Sequence, residues 1–414
     1  MSNEPSGEYF DYTKTMKPER PWMANYHQSL VYKIMNAYKD SKGNLKEVMF
    51  TFQQTLDLIE RIHNMTLGMP QIAYLTGWQY NGHDSKYPAW EEVNEALKRP
   101  EDDTALDSLR WLIRTAKEKF NCDVSLHINI MDAYPESPYW EEYLEKDIIA
   151  KDKDGNPIGC NEWSGMIAYA ISYTQEWKLG YTQKRIDKLL DMVPELVDTG
   201  TIHVDAFLGS RQKGWKNNEP ISPYLGYSKE EEAATMRKIY RYFRNKGLDI
   251  TSEYAFGLRD DRYVGLQPWC WHQEHNVAEL PDSLYCSTKW VGCDMWFLED
   301  RNNPPHTREK FYLEVVPWHL KNHGEGTKAF TDSDATDICL PALWTEERTA
   351  VAYSKNGYEE KTWELPPNWI DAKSITVQRI TWEGLESEEE VEVKAGKFTL
   401  NLQADEAVRL QPKT

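Results

Sequence analysis

No stretch of this sequence approaches the ~18 consecutive apolar residues of a membrane-spanning helix. The opening MSNEPSGEYF has neither the basic nor the apolar region of a secretory signal. Cysteine is scarce: Cys122, Cys160, Cys270, Cys286, Cys293 and Cys339 are scattered through 414 positions with no CxxC pair. That excludes a disulfide framework or a zinc cage and leaves buried thiols, which together with the missing signal points to a reducing cytoplasm. Positive charge is also short. Lys and Arg number 48 against 67 Asp and Glu, a formal charge of −19 that argues against nucleic acid as a partner. No GxGxxG or phosphate loop follows a strand-like run, and there is no HExxH zinc motif or GxSxG nucleophile elbow. His272 and His275, in HQEH, have no evident third ligand and read as loop histidines. No cofactor and no metal is expected.

Aromatic residues, by contrast, are abundant: 17 Trp and 24 Tyr. These side chains combine a flat apolar face with a polar handle, which suits the C–H faces of a pyranose. Most of the chain alternates short apolar runs with amphipathic stretches. SLVYKI (29–34), QIAYLTGWQY (71–80), CDVSLHINI (122–130), TIHVDAF (201–207) and LDITSEYAF (248–256) read as strands. GLQPWCW (265–271), CDMWFLED (293–300) and KAFTD (328–332) continue the series, and MIAYAISY (166–173) is either a strand or part of a long loop. Helices fit 50–65, 104–120 with Thr104 as N-cap, 182–197, and 228–247 with Ser228 and Glu231 as a capping box and Gly247 as the stop. Some eight strands alternating with helices over ~300 residues indicate a (β/α)₈ TIM barrel, with a doubly wound sheet as the alternative. From residue 338 the pattern changes to alternating strands between Gly, Pro and Asn turns, the texture of a small antiparallel β-sandwich. The expected organisation is an N-terminal extension (1–24), a barrel (25–337) and a C-terminal β-sandwich domain (338–414).

Barrel chemistry collects at the C-terminal ends of the strands. GTIHVDAF (200–207) places Asp205 there, and ITSEYAF places Glu253 at the end of the next strand. Taken alone, Asp205 is a salt-bridged strand-end residue. Two carboxylates on neighbouring strand ends are also what a glycosidase needs, one as nucleophile and one as a proton-holding acid. Neighbouring strands lie ~4.8 Å apart, closer to the ~5–5.5 Å of a retaining pair than to the wider inverting one. Glu299 and Asp300 form a rival acid pair. Trp78, His83, Asp84, His127 and Asn129 lie in or after other strands of the same series.

The stretches YLTGWQYNGHDSKYPAW (74–90), HINIMDAYPESPYW (127–140), HVDAF (203–207) and TSEYAF (251–256) together resemble the catalytic domain of glycoside hydrolase family 101, the endo-α-N-acetylgalactosaminidases related to family 129. The resemblance spans roughly residues 25–340. It implies a retaining hydrolase for N-acetylgalactosamine (or Galβ1,3GalNAc) α-linked to Ser or Thr, built as a barrel with a following β-domain. Asp205 then matches the nucleophile and Glu253 the acid/base, while His83, Asp84 and His127 would hold sugar hydroxyls. Trp163, in NEWSG, matches a lid aromatic, and Trp78 or Trp163 would supply an aromatic platform. The expected partner is a carbohydrate or glycopeptide, taken as a small glycoside by a chain without that family's large flanking modules. An enzyme for another α-linked sugar such as galactose, or a non-catalytic sugar-binding relative, is the alternative.

Overall fold

The first strand, β1 (Leu30–Met35), is buried along its whole length, as a run of LVYKIM requires. The computed structural model describes residues 4–207, 220–252, 263–268, 284, 307–322 and 336–413. A small hairpin, β2 (Ala37–Lys39) and β3 (Leu45–Val48), leads to helix α1 (Phe52–Met65). There follow β4 (Gln71–Thr76), α2 (Ala105–Phe120), β5 (Cys122–Asn129) and the two-residue β6 (Asp132–Ala133). Then come α3 (Trp140–Glu145), β7 (Gly159–Trp163), β8 (Met166–Ala170), α4 (Tyr173–Lys178), α5 (Tyr181–Met192) and α6 (Glu195–Thr199). The succession continues with β9 (Thr201–Asp205), α7 (Lys229–Asn245) and β10 (Asp249–Ser252).

β1, β4, β5, β9 and β10 form one parallel sheet in that spatial order, each strand beside the next of the series in sequence. The protein is thus mixed α/β, with α1 and α2 crossing over between parallel neighbours. Three capping boxes mark helix starts: Thr51 with Gln54, Thr104 with Asp107, and Ser228 with Glu231. Each satisfies backbone N–H groups that the helix cannot pair internally. Gly247, at φ 94°, follows α7 as expected of a residue in the left-handed region.

The structure alters several sequence expectations. The helix expected over 182–197 is two helices, because Pro194 lacks an N–H to continue α5 and instead begins α6. The run 166–173 contributes β8, which pairs antiparallel with β6 and β7 in a separate three-stranded sheet. Over its described part, the strand expected at 265–271 is a turn, with Gly265 at φ 84°. The runs 293–300 and 328–332 lie outside the described residues. Among the described residues the parallel sheet has five strands and does not close into a barrel.

The C-terminal strands are β11 (Asp337–Pro341), β12 (Ala350–Ser354), β13 (Tyr358–Glu364), β14 (Ser374–Thr381), β15 (Gly384–Glu392), β16 (Lys397–Leu402) and β17 (Glu406–Lys413). Five make an antiparallel sheet in the order β11-β12-β17-β14-β15, and β13 pairs with β16. Alternation along the strands divides their side chains between two cores. Cys339, Ala352, Ile375 and Leu410 pack on Trp363, Phe398 and Leu400 of the two-stranded sheet. Ile338, Leu340, Val351 and Tyr353 join the core of the parallel sheet and its helices. Trp344 Nε1 donates to the Thr66 carbonyl (2.8 Å) and Tyr312 donates to that of Met65 (2.7 Å), supplying donors for carbonyls at the end of α1.

The segment after β4 is seated by glycine. A Cβ on Gly77 (φ 76°) would collide with the Ala37 carbonyl oxygen of β2, and one on Gly82 (φ 117°) would stand 2.8 Å from the same atom. This closeness lets the His83 N–H donate to that carbonyl at 2.8 Å. From the far side, Arg185 of α5 donates to the Pro88 carbonyl (2.9 Å) while paired with buried Glu176 of α4 at 2.6 Å. Gly180 shares the left-handed backbone of Gly77 but has no neighbour within 4 Å. Gly180→Ala should therefore cost only the conformational penalty, about 1–2 kcal/mol. Gly77→Ala adds a backbone collision and should cost about 3 kcal/mol or more. Denaturant melts of the two variants check this, and equal losses would show that the contact with Ala37 is not tight.

Candidate active site

Parallel register assembles the site. His127 and Asn129 of β5 lie opposite His203 and Asp205 of β9, at the C-terminal edge of the sheet. Alternation then carries Thr201, His203 and Asp205 to one face and the buried Ile202 and Val204 to the other. On the polar face the rings form a ladder: His83 to His127 at 5.4 Å, His127 to His203 at 5.2 Å and His203 to Tyr74 at 5.1 Å. Two hydroxyls anchor it, with His203 Nδ1 2.9 Å from Thr251 Oγ1 and the Tyr74 hydroxyl 2.6 Å from Thr201 Oγ1.

Asp205 ends β9 with 19% of its side chain exposed, while the His127 side chain beside it is 1% exposed. Its Oδ2 stands 3.8 Å from His127 Nε2 and accepts from Asn129 Nδ2 at 3.2 Å. The residue after it, Ala206, is held at φ 47°, a conformation an alanine adopts only at a cost. Its neighbour Phe207 is buried and donates its N–H to Ser252 Oγ at 3.0 Å, which keeps the turn in place. Strain of this kind persists where surrounding structure over-determines it, commonly at functional sites.

His83 and Asp84 reach the same region from the loop after β4. His83 Nδ1 lies 3.5 Å from Asp84 Oδ1. Asp84 is 5% exposed, sits at φ 60°, and has its carbonyl bound by Lys39 Nζ at 2.6 Å. Lys39 also pairs with Glu136 at 3.1 Å and lies over the Tyr134 ring, 3.9 Å from its centre. The buried phenols of Tyr87 and Tyr134 are raised well above their ordinary value by burial first and by the Asp84 charge second. Asp205 adds to both shifts. The Tyr134 hydroxyl has no hydrogen-bond partner among the described residues. An enclosed set of carboxylates, imidazoles and phenols offers donors and acceptors in several directions, as a polyhydroxylated ligand requires.

The sequence reading missed Asp132, Tyr87, Tyr134 and Lys39. Tyr87 lies inside the GHDSKYP run and Asp132 stands three residues after Asn129, so proximity to the motifs was the available signal. Asp132 is buried, and burial first and the Asp84 charge second push its carboxyl up to about 7 from 3.8. The Cys160 thiol, the Asn129 amide and Lys39 pull the other way.

Trp78 is fully buried, with its indole N–H donated to the His127 carbonyl at 2.9 Å, so it supports β5 from within the core. Trp163 is 50% exposed, at the end of β7 in a hairpin whose turn residue Gly165 comes against Ser41. Glu253, Glu299, Asp300, His272 and His275 lie outside the described residues.

Residues 41–277, more than half of the chain, match the profile of glycoside hydrolase family 101, endo-alpha-N-acetylgalactosaminidase. The chain belongs to this family. Among solved structures, the GalNAc complex of the alpha-N-acetylgalactosaminidase NagBb from Bifidobacterium bifidum is similar at 14% identity. That similarity has a TM-score of 0.50 and covers 79% of this chain and 56% of NagBb. Ligand-free NagBb gives a TM-score of 0.46 at 15% identity, over 61% of this chain and 39% of that one. An Anoxybacillus alpha-amylase gives 0.41 at 12% identity, over 96% and 100%. The chain thus spans 37% to 56% of the NagBb chains it matches, and such identities establish likeness of fold alone. The family profile includes His83, Asp84, His127 and Asp205 within its matched range.

Burial of Asp132 has a consequence for stability in this family member. Its folded value of about 7 lies above the 3.8 of an unperturbed carboxyl, so between those limits the native state keeps a proton the unfolded chain has released. The contribution of this group to stability therefore falls as pH rises through that window and stays low above it. Asp132→Asn removes the effect. Its melting temperature relative to wild type should be more favourable at about pH 8 than at about pH 5, and a pH-independent difference would show Asp132 to be ionised throughout.

Proposed function

We propose that this chain hydrolyses α-linked N-acetylgalactosaminides by a retaining double displacement, with Asp205 as nucleophile and Glu253 as general acid/base. The observation that carries the reading is Asp205 itself: a partly exposed carboxylate at the C-terminal end of a parallel strand, on a strained turn, beside His127 and Asn129. Family membership supports glycoside hydrolysis, and the GalNAc-bound relative makes GalNAc the first sugar to try. The five parallel strands in strictly sequential order support a (β/α)₈ barrel, since a doubly wound sheet reverses its order partway. In this reading residues 25–337 are the catalytic unit, 338–414 a β-sandwich domain and 1–24 an extension.

Asp205 attacks the anomeric carbon from the face opposite the aglycone and forms a β-glycosyl ester. Glu253 gives its proton to the departing oxygen, then takes one from the water that opens the ester, returning the α-anomer. His83, Asp84 and His127 hold sugar hydroxyls, and the exposed Trp163 supplies an aromatic face that closes over the ring. Asp84→Ala should lower kcat/KM sharply with the fold intact; wild-type kinetics would make the loop motif structural.

A screen of aryl α-glycosides of GalNAc, galactose and Galβ1,3GalNAc separates the sugar preferences, and NMR of the first-formed anomer tests retention. Asp205→Ala should abolish turnover of every substrate. Glu253→Ala should lose an O-serine glycoside yet still react in the first step with a 2,4-dinitrophenyl α-glycoside, because an activated leaving group needs no proton. Azide should then accelerate that variant by opening the β-glycosyl ester from the vacated α face, and yield an α-glycosyl azide. Wild-type behaviour of Glu253→Ala on the serine glycoside would remove it from the role and bring Glu299 forward.

A further inference from the structure

We propose that Asp132 is a positioning residue for Asp205, acting through the side-chain amide of Asn129. The proposal rests on the reading of Asp205 as nucleophile. Asn129 Oδ1 accepts from the backbone N–H groups of Met131 (2.7 Å) and Asp132 (2.8 Å), which leaves the amide one orientation. Its Nδ2 then faces two carboxylates, donating to Asp132 Oδ2 at 2.9 Å and to Asp205 Oδ2 at 3.2 Å. A single NH₂ group thus spans both acids, and whatever changes its hold on one changes its hold on the other.

Asp132 is itself fixed. It belongs to β6, paired with Ala170 of β8, and its Oδ1 accepts from Cys160 Sγ of β7 at 3.3 Å. Its two carboxyl oxygens are taken by the Asn129 amide and the Cys160 thiol, so its influence on the chemistry passes through Asn129. The groups around it oppose one another: Asp84 disfavours its charge, Lys39 and the Cys160 thiol favour it, and the buried phenols of Tyr87, Tyr134 and Tyr173 are each raised in part by Asp132. Two carboxylates bridged by one donor favour a single negative charge between them. With Asp132 protonated, the amide is drawn to Asp205, which stays ionised and oriented. As Asp132 ionises, the amide is drawn back and the two charges repel, so the orientation of the nucleophile is lost. Burial places this exchange near neutrality.

The first test requires no substrate. Asp132→Asn, Asp205→Asn and the double variant are compared by denaturant unfolding at about pH 5 and about pH 8. Non-additive shifts that differ between the two pH values are expected. Additive shifts at both would overturn the proposal, whatever the chain hydrolyses. The second test follows 4-nitrophenyl N-acetyl-α-galactosaminide turnover. Asp132→Asn, neutral at every pH, should keep kcat near its acid-side value and flatten the alkaline limb of the rate profile, whereas Asp132→Ala should reduce kcat about tenfold or more with KM little changed, the cost of a misdirected reacting group. Cys160→Ala leaves Asp132 in place but removes a donor to its charged form, so that limb should move to higher pH. An unmoved limb in Cys160→Ala would count against the proposal even if Asp132→Asn does not fold. Wild-type turnover by Asp205→Asn would defeat the nucleophile assignment instead. An inactive Asp205→Asn with an additive cycle would defeat only the role given to Asp132.

Discussion

The parallel pairing of β5 with β9 is the constraint on which the candidate site depends. One register step sets His127 beside His203 and the next alternate pair sets Asn129 beside Asp205. A slip of one residue would turn Asp205 and His203 into the apolar layer now filled by Ile202 and Val204, and would take Asn129 away from the acid it binds. The register is held against such a slip by apolar burial on one face and by the Thr251 and Thr201 hydroxyls on the other.

Around that pairing the protein gathers an excess of negative charge in a poorly hydrated space. Asp84, Asp132 and Asp205 all act on the Tyr134 phenol, while Lys39 is the buried cation bound to Asp84's carbonyl and to Glu136. Acids brought together under burial cannot all stay ionised at ordinary cost, and Asp132, the most enclosed of them, is pushed up to about 7 by that burial. The same environment that raises Asp132 leaves Asp205 partly open at the sheet edge. Two carboxylates of one cluster therefore differ in character because of where the chain buries them.

The close seating of the 77–90 loop on β2 and α5 matters for the same reason. His83 and Asp84 are far from Asp205 in sequence, and they join it only because Gly77 and Gly82 allow the loop to touch the Ala37 carbonyl. Arg185 completes the hold through the Pro88 carbonyl, its own charge balanced by Glu176 in the interior. A loop so tied can present a polar group at a fixed distance from the strand ends, which a freely moving segment cannot.

Local structure was legible in the sequence wherever short-range physics decides it. The N-cap at Thr104, the capping box at Ser228, the stop at Gly247, the five strand-like runs up to residue 252 and the change to alternating strands near 338 were readable from periodicity and backbone chemistry. Asp205 stood out for a similar reason, as a carboxylate closing an apolar strand. The break at Pro194 was equally present in the sequence but hidden by an amphipathic pattern that continued across it. What no local pattern carried was the partnership of distant groups. Trp78 looked like a sugar platform within its motif, yet burial made it a prop for His127; Asp132 drew no notice in the sequence, yet it shares a donor with Asp205. Side-chain periodicity determines which residues turn inward along each strand. Only the packing of strands and loops decides which inward groups meet, how dry their meeting place is, and so which acid keeps its proton.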